Sequence, residues 1–261
     1  MNPEAYKYVP KIREALANED YELADELNHH LMGSYSQSYA PLGTLFLDFQ
    51  HNGKVENYHR ELDIDKAVST TSYQIDGVTY KREYFVSYPD QIMVVKLSAD
   101  KNDALNFAVK FDSQLRFSTS AVQDVLKVEG YAPYQALPNY HAGYEEPIKF
   151  DENRGTHFST YMKVESDGGN SMYTDSVLTV SGASEAILYV SIATSFNGFD
   201  KEPAKEGGDN KAIAQKQLNN ANKKGIVEIE EAHITDSNAL MTRVHPDFGE
   251  HTAAAPHTHN R

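Results

Sequence analysis

The stretch Ser69-Thr70-Thr71-Ser72-Tyr73-Gln74-Ile75-Asp76-Gly77-Val78-Thr79-Tyr80 decides the fold class. β-Branched and aromatic residues stand on both sides of an Asp-Gly pair. Such residues suit a pleated, half-buried surface, and Asp-Gly supplies the two left-handed positions of a tight hairpin turn. The stretch therefore predicts two antiparallel strands joined by two residues. Outward from it the period stays at two. Leu45, Leu47 and Phe49 alternate with Thr44, Phe46 and Asp48, and His51-Asn52-Gly53-Lys54 reads as a second hairpin turn. Gln91 to Leu97 and Leu105 to Phe111 are further strands, connected by Asp100 to Asp103. Strands return at Phe158 to Val164, Val177 to Val180 and Ala186 to Thr194, with Asp167-Gly168-Gly169-Asn170 turning between the first two. Gly130 to Gly155, rich in Pro, Tyr, Asn and Gly, reads as a long ordered loop.

Helical periods flank this β region. Asn2-Pro3-Glu4 has the form of an N-cap, a first-turn Pro and a first-turn acid, and Ile12 and Leu16 share a face. Asn18-Glu19-Asp20 opens a second helix whose Leu23, Leu27 and Leu31 repeat at i, i+4, i+8, with Gly33 as its stop. From Asp209 the helical period returns. Ala212, Ile213, Leu218 and Ala221 are its apolar positions, Lys223 and Lys224 favour a helix C-terminus, and Gly225 ends it. A weaker helical stretch runs from about Ile226 to Val244. Helices and strands are segregated and the strands are joined by short turns. That order predicts a mainly β protein, an antiparallel β-sandwich with an N-terminal helical hairpin and C-terminal linker helices. The expected organisation is a helical hairpin over 1–33 belonging to the sandwich domain, the sandwich over 34–200, linker helices over 201–244 and a flexible tail over 245–261.

Composition narrows the function. Seventeen Tyr and eleven Phe with no Trp fit a strand-rich chain, because Tyr packs its ring and keeps its hydroxyl wet. A net charge of −14 repels phosphate backbones and anionic head groups, so neither nucleic acid nor a membrane surface is an expected partner. The absence of cysteine excludes disulfides, thiolate nucleophiles and cysteine-based zinc sites. No run is long and apolar enough to span a bilayer, and the first residues lack the charged-then-apolar pattern of a secretory signal.

Chemistry-bearing groups are sparse. Glu26, His29 and His30 have a helical spacing that metals use, but with no third ligand in view a solvated polar face opposite the leucines explains them better. His257-Thr258-His259 belongs to the tail. No metal and no cofactor is expected. Glu145-Glu146, beside Tyr131, Tyr134, Tyr140 and Tyr144, is the most suggestive carboxylate group for sugar chemistry, since rings stack on sugars and carboxylates accept from hydroxyls. A Tyr-rich loop packed on its own sheet accounts for the same residues. The chain has no Gly-x-Ser-x-Gly, P-loop or dinucleotide fingerprint. Ser195-Phe196-Asn197-Gly198-Phe199-Asp200 is the other candidate, where Asn-Gly makes a turn that sets Phe196, Phe199 and Asp200 on display.

Five segments in order carry a resemblance. They are Asn2-Pro3-Glu4-Ala5 with the hairpin ending at Leu31-Met32-Gly33; Gln37-Ser38-Tyr39-Ala40-Pro41-Leu42-Gly43-Thr44-Leu45-Phe46-Leu47-Asp48-Phe49; Tyr58-His59-Arg60-Glu61-Leu62-Asp63-Ile64-Asp65-Lys66-Ala67; Gly77-Val78-Thr79-Tyr80-Lys81-Arg82-Glu83 with Pro89-Asp90-Gln91; and Ala193-Thr194-Ser195-Phe196-Asn197-Gly198-Phe199-Asp200-Lys201. Together, from Asn2 to about Val244, they resemble the N-terminal region of family 95 glycoside hydrolases, the α-L-fucosidase and α-L-galactosidase type. The resemblance implies a super-sandwich that packs through a helical linker against an (α/α)6 barrel, and a catalytic acid and activated water that belong to the barrel. It implies glycan, through the parent enzyme, and the helical barrel as partners, and no catalytic residue within this chain. It also implies a secreted or periplasmic bacterial setting. Strands that usually precede Asn2 in the family are missing, so exposed sheet edges and a homodimer formed through them are expected. Phe196, Asn197, Phe199 and Asp200, with Tyr131, Tyr134 and Tyr140, are the candidates for substrate binding or for docking the barrel.

Overall fold

The computed structural model describes residues 3–32, 39–140 and 145–244. Among these the helices are α1 (Val9–Ala17), α2 (Tyr21–Asn28), α3 (Asn210–Lys224) and α4 (Ile226–Met241). The strands are β1 (Thr44–Phe49), β2 (Glu56–Asp63), β3 (Val68–Ile75), β4 (Val78–Ser87), β5 (Ile92–Ala99), β6 (Leu105–Asp112), β7 (Arg116–Val122), β8 (Val125–Tyr131), β9 (Gln135–Ala136), β10 (Ile148–Lys149), β11 (His157–Asp167), β12 (Asn170–Tyr173), β13 (Val177–Ala183) and β14 (Glu185–Thr194). The chain divides into two compact units, Met1–Pro41 with Pro133–Asp151, and Leu42–Ala132 with Glu152–Arg261. Asn2, Gly33, Tyr144 and the segment 245–261, to which several sequence expectations attach, lie outside the described residues.

In the first unit the α-helix begins later than expected. A short 3-10 turn at Ala5–Lys7 precedes α1, and Pro10 then falls in the first turn of α1. A helix running unbroken from Pro3 would place that Pro in its interior, where it removes a hydrogen bond and clashes with the preceding turn. Asp20 caps α2, its Oδ1 accepting from the Leu23 N–H at 3.1 Å. The leucine stripe is not the buried face: Leu23 is 42% and Leu31 37% exposed, whereas Ala15 and Ala24 are buried. β9 and β10 form a two-stranded antiparallel ribbon inside the stretch expected to be loop.

The second unit is an antiparallel β-sandwich with a helical layer. The larger sheet has the order β2-β3-β4-β5-β14-β11-β8-β7 and the smaller one β1-β6-β13-β12. The Asp76-Gly77 hairpin forms as predicted, with Ile75 opposite Val78 and φ of 52° and 71° at the two turn residues. His51 to Lys54 does not make a hairpin. β1 pairs with β6, β2 pairs with β3, and residues 50–55 cross from one sheet to the other. β2 is exposed along nearly all its length, so a β1–β2 hairpin would strand Leu45, Leu47 and Phe49 beside a polar edge. Pairing with β6 lays them on the core instead. β7 and β8, with the turn at Gln123-Asp124, and β12 were not foreseen.

Strand alternation divides the larger sheet's side chains between two cores. Val95, Leu97, Leu126, Val128, Leu188 and Val190 face the smaller sheet, meeting Leu105, Phe107, Val109, Leu178 and Val180. Phe85, Ile92, Val94, Tyr161, Tyr189 and Ala193 face the other way, against Ala214, Leu218 and Ala221 of α3 and Ile229 of α4. Asn210, Ala214, Leu218 and Ala221 make the buried stripe of α3. Ile213, expected on the apolar face, is 40% exposed. Polar bonds fix the helices in place. Ser191 Oγ donates to the Ala214 carbonyl at 2.8 Å, and Asn210 Nδ2 donates to Ser159 Oγ at 2.8 Å. His233 stacks on Phe85 with centroids 4.8 Å apart and places Nε2 3.1 Å from the Ala67 carbonyl. Leu218→Ala is expected to cost about 2–5 kcal/mol, the usual range for a large-to-small change in a packed core. Denaturant unfolding checks it, with Ile213→Ala expected to change little.

Candidate functional site

Ser195 ends β14 by bonding across to the start of β11. Its N–H donates to the His157 carbonyl at 2.8 Å, and its Oγ accepts from the His157 N–H at 2.9 Å. The chain then makes a closed loop and returns, where the Gly208 N–H donates to the Ser195 carbonyl at 3.0 Å. Inside the loop Asn197 Nδ2 donates to the Glu206 carbonyl at 3.0 Å. A β-carbon on Gly207 would lie 2.1 Å from the Pro203 carbonyl and 2.5 Å from that of Ser195, so only glycine fits the closure. Asp209 follows at once and caps α3, accepting from the Ala212 N–H at 3.0 Å. Asn197 is thus a structural strut, while Phe196 and Phe199 are 65% and 93% exposed on the loop, with Asp200 exposed beside them.

Tyr131 stands next to this loop through His157. At the margin of the larger sheet Arg116, Tyr131 and His157 are in register across β7, β8 and β11. The Tyr131 and His157 rings lie 5.9 Å apart. The row borders a cleft of about 390 Å³ that also contains Glu129, Asn210 and Lys211. Glu129 is doubly engaged, accepting from Tyr161 OH at 2.6 Å and from Lys211 Nζ at 2.5 Å. Burial pushes its carboxyl up, but the bonds from Lys211 and Tyr161 and the charges of Lys211 and Lys127 outweigh burial, and the net direction is down. Burial and the bond to Glu129 push the Tyr161 phenol well up. Tyr134 and Tyr140 belong to the other compact unit, where the Tyr134 N–H donates to the Lys149 carbonyl at 3.0 Å and Tyr140 is 75% exposed. The expected residues therefore fall into three places: the loop carrying Phe196 to Asp200, the adjoining row of Tyr131, and the first unit.

A second cleft, of about 580 Å³, went unnoticed in the sequence. It lies on the inner face of the larger sheet at β2, β3 and β4, under the 50–55 crossing. Arg60, Thr71 and Arg82 stand in register across these strands. The Arg82 guanidinium sits 3.9 Å from the Phe49 ring centroid and 4.9 Å from that of Tyr73, and Nη2 donates to Tyr73 OH. Tyr73 OH lies 3.4 Å from His51 Nδ1. Burial, then the Arg82 charge, lowers the His51 pKa from its ordinary 6.5. The only foretaste in sequence is the alternation that puts Arg60 and Arg82 on one side and Glu61 and Glu83 on the other.

With the geometry in place, comparison with known proteins is informative. Residues 1–198 match the family described as glycosyl hydrolase family 65, N-terminal domain. The chain belongs to that family. This glycosyl hydrolase domain is 27% identical over 252 residues to alpha-L-fucosidase 2 of Arabidopsis thaliana, covering 93% of this chain and 30% of that protein. It is 34% identical over 74 residues to a probable alpha-fucosidase A of Aspergillus niger, covering 28% of this chain and 9% of that one. The chain thus spans less than a third of either relative. Among solved structures, a putative kojibiose phosphorylase from human microbiome aligns at a TM-score of 0.49 and 8% identity, over 74% of this chain and 27% of the other.

Glu129 supplies a pH test. Its folded pKa lies below the ordinary 4.5, so its contribution is full above that value and is lost as pH falls through the lowered one. Lys211 is largely exposed, so solvent screens its share, and the Tyr161 bond is the better shielded of the two. Glu129→Gln is expected to lower stability by about 1–2 kcal/mol at pH 7, and urea unfolding below pH 4.5 should then fall less steeply than in the parent.

Proposed function

We propose that this chain is the N-terminal sandwich of a glycan-acting hydrolase of the family 95, α-L-fucosidase type, and that it works beside a catalytic (α/α)6 barrel without performing the chemistry itself. The observation that carries the reading is the similarity to a plant alpha-L-fucosidase along 93% of the chain, matched to only 30% of that enzyme. The site chemistry agrees. A glycosidic general acid needs a carboxyl group held protonated near the working pH. Glu129, in the cleft beside the loop, is held as an anion by Lys211 and Tyr161.

The loop supplies the second part of the proposal. Phe196 and Phe199 are large, exposed and mounted on a loop tied at both ends, the form of a docking corner rather than of a core. They face the barrel, or the rim of the sugar site that the barrel completes. Purified chain incubated with an aryl α-L-fucoside is expected to show no turnover; dose-dependent release of the aryl group would sink the non-catalytic assignment. Phe196→Ser and Phe199→Ser are expected to leave stability within about 0.5 kcal/mol, as surface changes do. A loss above about 1.5 kcal/mol would place the rings in this chain's own core. Sugar binding by the sandwich itself is a second reading, favoured by the cleft at β2, β3 and β4.

A further inference from the structure

We propose that the cleft on the overhang of β2, β3 and β4 binds an acidic saccharide, a pyranose carrying a carboxylate or a sulfate, with Arg60 and Arg82 on the anion and tyrosine rings on the sugar. The sugar half of this assignment rests on the proposed glycan-acting enzyme; the anion half rests on the cleft alone.

The charge pattern is the first support. The whole chain carries −14, yet the lining includes Arg60, Arg82 and His51 and no Asp or Glu. The Asp76 carboxylate packs against Gly53 at the rim and is not part of the lining. Among the described residues neither arginine forms an ion pair, although nearby lysines do: Lys81 and Lys96 pair with Glu83 on the opposite face of the same strands. An arginine that pairs with no carboxylate among the described residues of an acidic protein and faces a cleft is a ready partner for an outside oxyanion.

Preorganisation is the second. Arg82 is clamped between Phe49 and Tyr73 and bonded to Tyr73 OH, so little side-chain freedom remains to be lost on binding. His51 is held by the rings of Tyr80, at 4.3 Å, and of Phe49, at 5.4 Å. His51 Nε2 and Arg82 Nε are buried without a hydrogen-bond partner among the described residues, and each such atom calls for an explanation, a bound water or ion among them.

The shape is the third. Tyr58 lies two residues before Arg60 and shares its face by strand alternation, just past a bulge between Glu56 and His59 with Asn57 at φ 51°. Tyr58, Tyr73 and Tyr84 then surround the arginine row, with the hydroxyls of Ser69 and Thr71 between them. Ring faces for the apolar side of a pyranose, short hydroxyls for its edges and a charged fork for an acid group form a coherent recognition set.

Isothermal titration of the full chain with galacturonate and glucuronate oligosaccharides, a sulfated galactoside, the matching neutral oligosaccharides and inorganic sulfate tests this. Acidic sugars are expected to bind at least about tenfold more tightly than the neutral ones, with affinity falling as salt rises. The uronate and sulfate arms then identify the anion. Arg60→Gln, at an exposed and unpaired position, is expected to keep the unfolding midpoint and weaken acidic-sugar binding about tenfold or more. Glu61→Gln on the opposite face should leave binding unchanged. Equal binding of neutral and acidic sugars, no binding of acidic sugars, or no effect of Arg60→Gln would overturn the site. Inorganic sulfate binding as tightly as the acidic sugars would overturn its saccharide half. Turnover of an aryl fucoside by the chain bears on the proposed function alone, so the two failures are told apart.

Discussion

The eight-stranded sheet of the larger unit carries apolar side chains on both faces, and that requires two covers. On one side the four-stranded sheet supplies the cover. On the other, α3 and α4 do, burying Phe85, Ile92, Val94, Tyr161 and Tyr189. Each such side chain contributes about 1.5–3 kcal/mol when removed from water. Their sum is on the order of 10 kcal/mol, the whole net stability of an ordinary domain. The two C-terminal helices are therefore a structural layer of the sandwich. The buried bonds from Ser191 to Ala214 and from Asn210 to Ser159 add less energy than position, because they fix where along the sheet α3 lies.

That position sets the rest of the loop region. Asp209 must cap α3 where Asn210 meets Ser159, and Ser195 must end β14 opposite His157. The chain between has only these two anchors to join, and it closes on itself through Asn197 and Gly207. Exposed phenylalanines on such a loop cannot relieve their exposure by moving inward. The constraint that seals the sheet is thus also the one that holds Phe196 and Phe199 outside.

Local chemistry was legible in the sequence, and pairing across distance was not. The Asp76-Gly77 hairpin, the strands at 91–97 and 186–194, the start of the second helix at Asn18 to Asp20 and the stop at Gly225 all rest on patterns within a few residues. β7 and β8 escaped notice because their turn puts Gln123, instead of Gly or Asn, at a left-handed φ of 56°. The supposed hairpin at His51 to Lys54 failed because nothing local tells that β1 and β2 belong to different sheets. The leucines of α2 had the right period, yet the small Ala15 and Ala24 are the buried residues of the two helices. For the sites, the loop at Phe196 to Asp200 was visible through its Asn-Gly and its aromatics. The joining of Tyr131 to that loop depends on the register of β8 with β11, and the grouping of Arg60 with Arg82 depends on two further registers.

Unequal sheets explain why a cleft exists where it does. Strands lie about 4.8 Å apart, so four strands cannot roof eight. At β2, the edge strand of the larger sheet, the 50–55 crossing contributes His51, Gly53 and Val55 to the lining. An uncovered inner face has to be polar, and a random mixture of charges would satisfy that need. The actual distribution is uneven: Glu61 and Glu83 share one face with Lys81 and Lys96, while the inner face carries Arg60 and Arg82 beside tyrosine rings and no acid in the cleft lining. Solvation alone does not call for such sorting. A need to hold one sign of charge against aromatic rings does.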